Sequence, residues 1–120
     1  MRRGEVWWGT PQVPGSQVKR RPFVVVSRDT FNRDERYLKV MVVHLTTVQR
    51  LDGPYDWEVS VPRGAARLPS ASVAKCNEVY TIWKRDLDEP IGALPTAIMD
   101  RIDRALSLVL ALPTTFAAND

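Results

Sequence analysis

The sequence predicts a mainly β fold, a small and strongly bent antiparallel sheet or barrel of about six short strands with one C-terminal helix. Three observations carry this. Short apolar runs rich in β-branched and aromatic residues recur between turn formers from residue 4 to residue 83. No segment of helical period alternates with them, so βαβ units and a parallel sheet are excluded. The apolar period changes to a helical one only near the end, over residues 95–112.

The elements follow in order. "GEVWW" at 4–8 has strand composition and is closed by Gly9-Thr10-Pro11. Residues 11–20 contain Pro11, Pro14, Gly15 and Ser16 and form a long loop. Pro22 opens a strand, where its missing N–H is tolerated, and Phe23 to Ser27 reads as fully buried. The polar stretch 28–37 holds turn formers and room for one helical turn, and Leu38 to Thr47 is the longest β-branched run, hence the central strand. "LDGPYD" is a turn, and "WEVSV" at 57–61 alternates as a half-exposed hairpin strand does. "ASVAKC" and "EVYTIW" then form two short strands or one long bent one. In the helix, Ile98, Ile102, Ala105, Leu106, Val109 and Leu110 share one face, with Asp100, Arg101, Asp103 and Arg104 opposite. Pro95 suits the first turn and Pro113 ends the element. Residues 1–113 are expected to form one domain, with 114–120 a short frayed tail.

Composition narrows the function. With 44% apolar and 26% charged residues the chain reads as globular, and no apolar run approaches the roughly 18 residues of a membrane span. The basic N-terminus runs into a strand pattern without a signal-peptide core. The lone Cys76 makes no intramolecular disulfide, which points to the cytoplasm. The net charge of +3 is unevenly distributed: residues 1–50 carry ten Lys/Arg against four Asp/Glu, and residues 51–120 carry seven against ten. A basic face for an anionic partner follows from that asymmetry.

One His and one Cys make no zinc site, and no carboxylate run has EF-hand spacing, so no metal or other cofactor is expected. There is no phosphate-binding Gly-rich loop before a helix and no readable Ser–His–Asp set. Three places remain: the Gly15–Arg21 loop, the strand end His44–Thr47, and "KCNE" at 75–78. The loop ends in three consecutive cations, Lys19, Arg20 and Arg21, against Pro22 and a buried strand. A guanidinium fixed at a strand root matches phosphate oxygens with a fork of donors. His44 and Thr46 share a strand face by alternation, about 7 Å apart, and could line one pocket. Plainer readings stand beside these: Arg21 as a solvated charge, His44 as a hydrogen-bonded core residue, Thr46 as a strand former and Cys76 as a small buried hydrophobe.

The stretches "RRGEVWW" (2–8), "GSQVKRRPFVVVS" (15–27), "VVHLTT" (42–47), "SVAKCNEVYTI" (72–82) and "MDRIDRALSLVLAL" (99–112) together resemble the MazF/PemK/Kid family, toxins of type II toxin–antitoxin modules. The resemblance implies an SH3-like barrel, a homodimer, metal-independent cleavage of single-stranded RNA (mRNA, tRNA or rRNA), and an antitoxin whose acidic segment occupies the RNA groove. It places the family's Arg-before-Pro on Arg21 and its strand-end Thr on Thr46, both stabilising the scissile phosphate, with a 2′,3′-cyclic phosphate and a 5′-OH as products. Ser16, Gln17, Lys19, Arg20, Thr47, Lys75 and Asn77 are then expected to contact RNA, and the loops after residues 9, 47 and 61 to choose its sequence. Two positions depart from the pattern: Gln17 and Asn77 are amides where relatives carry carboxylates, and an amide takes no proton at neutral pH. His44 is the substitute candidate for the proton-transfer step. The alternatives are a gyrase-binding toxin of the CcdB type, whose Trp-Gly-Ile end this chain lacks, and an inactive relative that binds RNA or antitoxin only.

Overall fold

A computed structural model describes residues 1–13, 15, 17–47 and 54–113. Six strands, β1 (Glu5–Gly9), β2 (Arg21–Val25), β3 (Lys39–Thr47), β4 (Glu58–Val61), β5 (Ser72–Trp83) and β6 (Leu87–Ala93), form one sheet in the order β4-β5-β3-β2-β1-β6. Every pairing is antiparallel. Helix α1 (Asp29–Asn32) is the single turn expected between β2 and β3, and α2 (Thr96–Val109) closes the fold.

The sheet is bent until its edges meet. A Cβ on Gly92 of β6 would lie 2.9 Å from the carbonyl oxygen of Ala66, in the 3-10 turn (Ala65–Arg67) that follows β4. Only glycine permits that approach, and the small-barrel expectation holds. The number of strands also agrees, but one member differs. Residues 72–83 are a single long strand, and the sixth strand is "LDEPIGA", which sequence reasoning passed over. Its Pro90 and Gly92 read as breakers, yet β6 is an edge strand, where a missing N–H costs no ladder bond.

Two apolar layers hold the sheet. On one face Val6, Val24, Val43, Leu45, Val59, Ala74 and Cys76 pack with Ile98, Met99, Ile102 and Ala105 of α2. The helix binds through this stripe, so truncating the fully buried Ile102 to Ala costs about 2–5 kcal/mol. On the other face Phe23, Val25, Val40, Val42, Ile82 and Leu87 form a second cluster. The expected helical stripe runs further than the core it covers: Val109 and Leu110 are exposed, as are Leu108 and Leu112. No described helix is long and apolar enough to cross a membrane.

Candidate functional site

The second apolar layer ends in polar residues. Phe23 of β2 pairs with His44 of β3 as the outermost pair of that ladder, and Arg21 and Thr46 lie beyond it at the same end of the two strands. Both then stand at the rim, where strand alternation carries a core row out to water. There they line a groove of about 580 Å³ that runs from β1 and β2 across the end of β3 to β4 and β5. Lys19, Arg20, Thr47 and Lys75 line it as well. The structure therefore gathers six of the ten expected site residues: Lys19, Arg20, Arg21, Thr46, Thr47 and Lys75. Gln17 and Asn77 are exposed and outside the groove lining, and Ser16 lies outside the described residues.

The three cations of the loop differ in their surroundings. Lys19 has no ion pair among the described residues and lines the groove. Arg20 is tied to two carboxylates of β6, Asp88 at 3.2 Å and Glu89, and lies over the Trp8 ring at 5.5 Å. The bond to Glu89 raises its pKa above the usual guanidinium value. Arg21 is half-buried, with Nη1 3.5 Å from Nδ1 of His44.

His44 is buried and is not among the groove-lining residues. Its ring lies between Phe23, at 6.4 Å, and Tyr80, edge-on at 6.2 Å. Burial lowers its pKa, Glu78 raises it in part, and Arg21 and Lys75 lower it again. Cys76, beneath the sheet, has its thiol pushed up by burial to about 11, so it supplies no thiolate nucleophile at neutral pH.

Lys75 plays a second part. Its Nζ is 2.8 Å from Oε2 of Glu58, a carboxylate with no exposed side-chain surface that also lines the groove and accepts from the Tyr55 N–H at 3.1 Å. Sequence reasoning missed Glu58, because alternation in "WEVSV" places it on the solvent side. It missed Tyr55 too, half-exposed and stacked on Trp57 with centroids 4.7 Å apart. Among the described residues no three His, Cys, Asp or Glu side chains converge on a common point.

A bent β barrel with a cationic groove at its rim, a half-buried arginine and a threonine in the lining of that groove, and an exposed aromatic stack in the flanking segment is a domain built to receive a phosphodiester chain. The PemK-like, MazF-like toxin family of type II toxin–antitoxin systems matches residues 2–110, and the chain belongs to that family. It is 32% identical over 112 residues, 92% of this chain and 96% of the relative, to the endoribonuclease MazF6 of Mycobacterium tuberculosis. It is 28% identical over 114 residues, 93% of this chain and 96% of the relative, to the endoribonuclease EndoA of Bacillus subtilis. Among solved structures, a mycobacterial endoribonuclease in complex with its cognate antitoxin superposes with a TM-score of 0.75 at 24% identity, covering 96% of this chain and 99% of that one. MazF of Deinococcus radiodurans superposes with a TM-score of 0.74 at 21% identity, covering 93% and 97%.

Proposed function

We infer that this protein is an endoribonuclease toxin that cleaves single-stranded RNA in a sequence-specific manner and is neutralised by an antitoxin with an acidic segment. The observation that carries the reading is that Arg21 and Thr46 line one basic groove, in a chain whose curated relatives are named endoribonucleases. The 2′ oxygen of one nucleotide attacks the adjacent phosphorus and the bond to the 5′ oxygen of the next breaks. The 2′ proton passes to solvent and the departing oxygen takes one up, leaving a 2′,3′-cyclic phosphate and a 5′-OH. Arg21 donates to the phosphoryl oxygens as their charge grows, and the Thr46 hydroxyl donates to the same group. Neither requires a metal. Lys19 holds a flanking phosphate through its charge, and Tyr55 offers a ring face to an unstacked base, which only single-stranded RNA presents.

The same reading covers the assembly. The exposed apolar end of α2, Leu108 to Leu112, suits a two-fold contact between copies, and the cytoplasm is where toxin, RNA and antitoxin would meet. Family membership favours RNA cleavage over gyrase binding. The test is incubation of the purified protein with a long RNA, followed by mapping of the new ends. Cuts at one recurrent motif with 5′-OH ends are expected from the wild type and not from Arg21→Ala. Intact RNA with the wild-type protein would overturn the assignment.

A further inference from the structure

We propose that His44 is a positioning residue and not the proton carrier: as the neutral tautomer protonated on Nε2, it accepts a hydrogen bond from Arg21 on Nδ1 and so sets the direction in which that guanidinium faces the groove. The proposal rests on the reading of Arg21 given above.

The donor inventory fixes the tautomer. A guanidinium has only N–H groups to offer and does not deprotonate in proteins, so Nδ1, 3.5 Å from Arg21 Nη1, has to be the accepting nitrogen. The ring proton then lies on Nε2. That nitrogen is fully buried, makes no hydrogen bond among the described residues, and has the Glu78 carboxylate Oε2 3.9 Å away. The Tyr80 hydroxyl donates to the other oxygen of Glu78 at 3.0 Å and holds the carboxylate in place. With Arg21 N–H directed to Nδ1 and Nε2–H turned toward the Glu78 carboxylate at 3.9 Å, each ring nitrogen faces a group of matching character, though Nε2–H itself makes no hydrogen bond among the described residues. A doubly protonated ring would turn an N–H against the guanidinium and place two cations together, with one of them buried. The titratable and charged groups around the ring are Arg21 from β2 and Lys75, Glu78 and Tyr80 from β5. The balance of burial and these neighbours keeps the imidazole neutral at pH 7. The lone pair a general base would use is therefore directed at Arg21, and His44 itself does not line the groove.

The two roles separate on substitution. Glutamine can accept from Arg21 and donate toward Glu78, but it neither titrates near neutrality nor carries a proton. His44→Gln is expected to cleave within about threefold of wild type, while His44→Ala loses roughly 10-fold or more in kcat with KM nearly unchanged. The wild-type rate should fall on acidification below about pH 6.5 with a one-proton slope, and that limb should be missing in His44→Gln. Removing the Glu78 charge with Glu78→Gln should shift the limb to lower pH. A glutamine variant as inactive as a folded alanine variant, an alanine variant with wild-type kcat, or an acid limb that persists in His44→Gln would each overturn the proposal. A second measurement needs no activity. Nitrogen-15 NMR of the imidazole in the wild-type protein should show a protonated Nε2 and an unprotonated Nδ1 at pH 7, and the opposite tautomer would overturn the proposal. If the protein cleaves no RNA, the endoribonuclease reading fails while this measurement still decides the tautomer.

Discussion

Replacing Lys75 by methionine separates two roles that the groove combines in one side chain. Lys75 lines the groove, so loss of RNA affinity is the expectation from charge alone. It is also the counter-ion of Glu58, whose side chain is wholly buried, at 2.8 Å. Methionine keeps the aliphatic stem and removes the ammonium, so the buried carboxylate keeps the Tyr55 N–H and loses the Lys75 charge. Removing one partner of such a pair costs about 3 kcal/mol. With about 2.1 cal/mol/K of unfolding entropy per residue, the 120 residues give roughly 0.25 kcal/mol/K, so Tm should fall by about 12 °C.

The pH dependence identifies the cause. Loss of the Lys75 ammonium favours the protonated form of Glu58 in the folded variant relative to the folded wild type. The variant's folded state therefore keeps that proton to a higher pH, so the penalty is small in acid and grows as pH rises. Thermal melts of wild type and Lys75→Met across pH 4.5–8 should diverge toward neutral pH and converge in acid. The double variant Glu58→Gln/Lys75→Met should recover most of the lost Tm. Equal melting temperatures at pH 7.5, or a gap that does not change with pH, would refute the argument. Lys75 would then be a groove cation and nothing more.

Arg21→Ala should lower kcat on the order of 10²-fold or more, as loss of an oxyanion-type donor does, which single-turnover cleavage measures. Lys19→Ala should spare kcat and reduce the slope of log affinity against log salt by about 1, read by RNA binding at several ionic strengths. Cleavage should persist in EDTA, since no three ligand-type side chains converge among the described residues; loss on chelation with rescue by magnesium would count against the mechanism. Wild type should lose stability relative to His44→Gln as pH falls below about 6.5, because burial depresses the folded-state pKa and the unfolded chain protonates first. Light scattering should give a dimer mass that falls to the monomer's in Leu108→Glu/Leu110→Glu.

Periodicity carried most of the fold. The central strand, the buried strand behind Pro22 and the helix were all legible because each has a burial pattern matching its own repeat. β6 was not, for a physical reason: an edge strand with four of its seven residues exposed has no apolar alternation to show. Its Pro90 and Gly92 are tolerated only because of where it lies in the sheet. The helix stripe erred in the opposite sense, since Val109 and Leu110 keep the spacing of a buried face and yet are exposed among the described residues.

That one missing strand also explains part of the site. Three cations in a row look alike in sequence, and what distinguishes them is what each meets across the fold. Arg20 meets Asp88 and Glu89, which lie on β6. A reading without β6 has no carboxylates to offer it and counts it as a free phosphate contact equal to Lys19. Arg21 meets His44 because β2 and β3 are neighbours in a register that puts Phe23 opposite the ring, and a long-range register cannot be read from either strand alone. Lys75 meets Glu58 across β4 and β5, where the same limitation hid a buried carboxylate behind a pattern that reads as half-exposed. The residue types at the site were thus recoverable from local sequence, whereas the division of labour among its charges depends on contacts between residues as much as 69 positions apart. Of the triplet, Lys19 makes no ion pair among the described residues, Arg20 is tied to the edge strand, and Arg21, on the proposal above, is held at the rim by an imidazole that works only while it stays neutral.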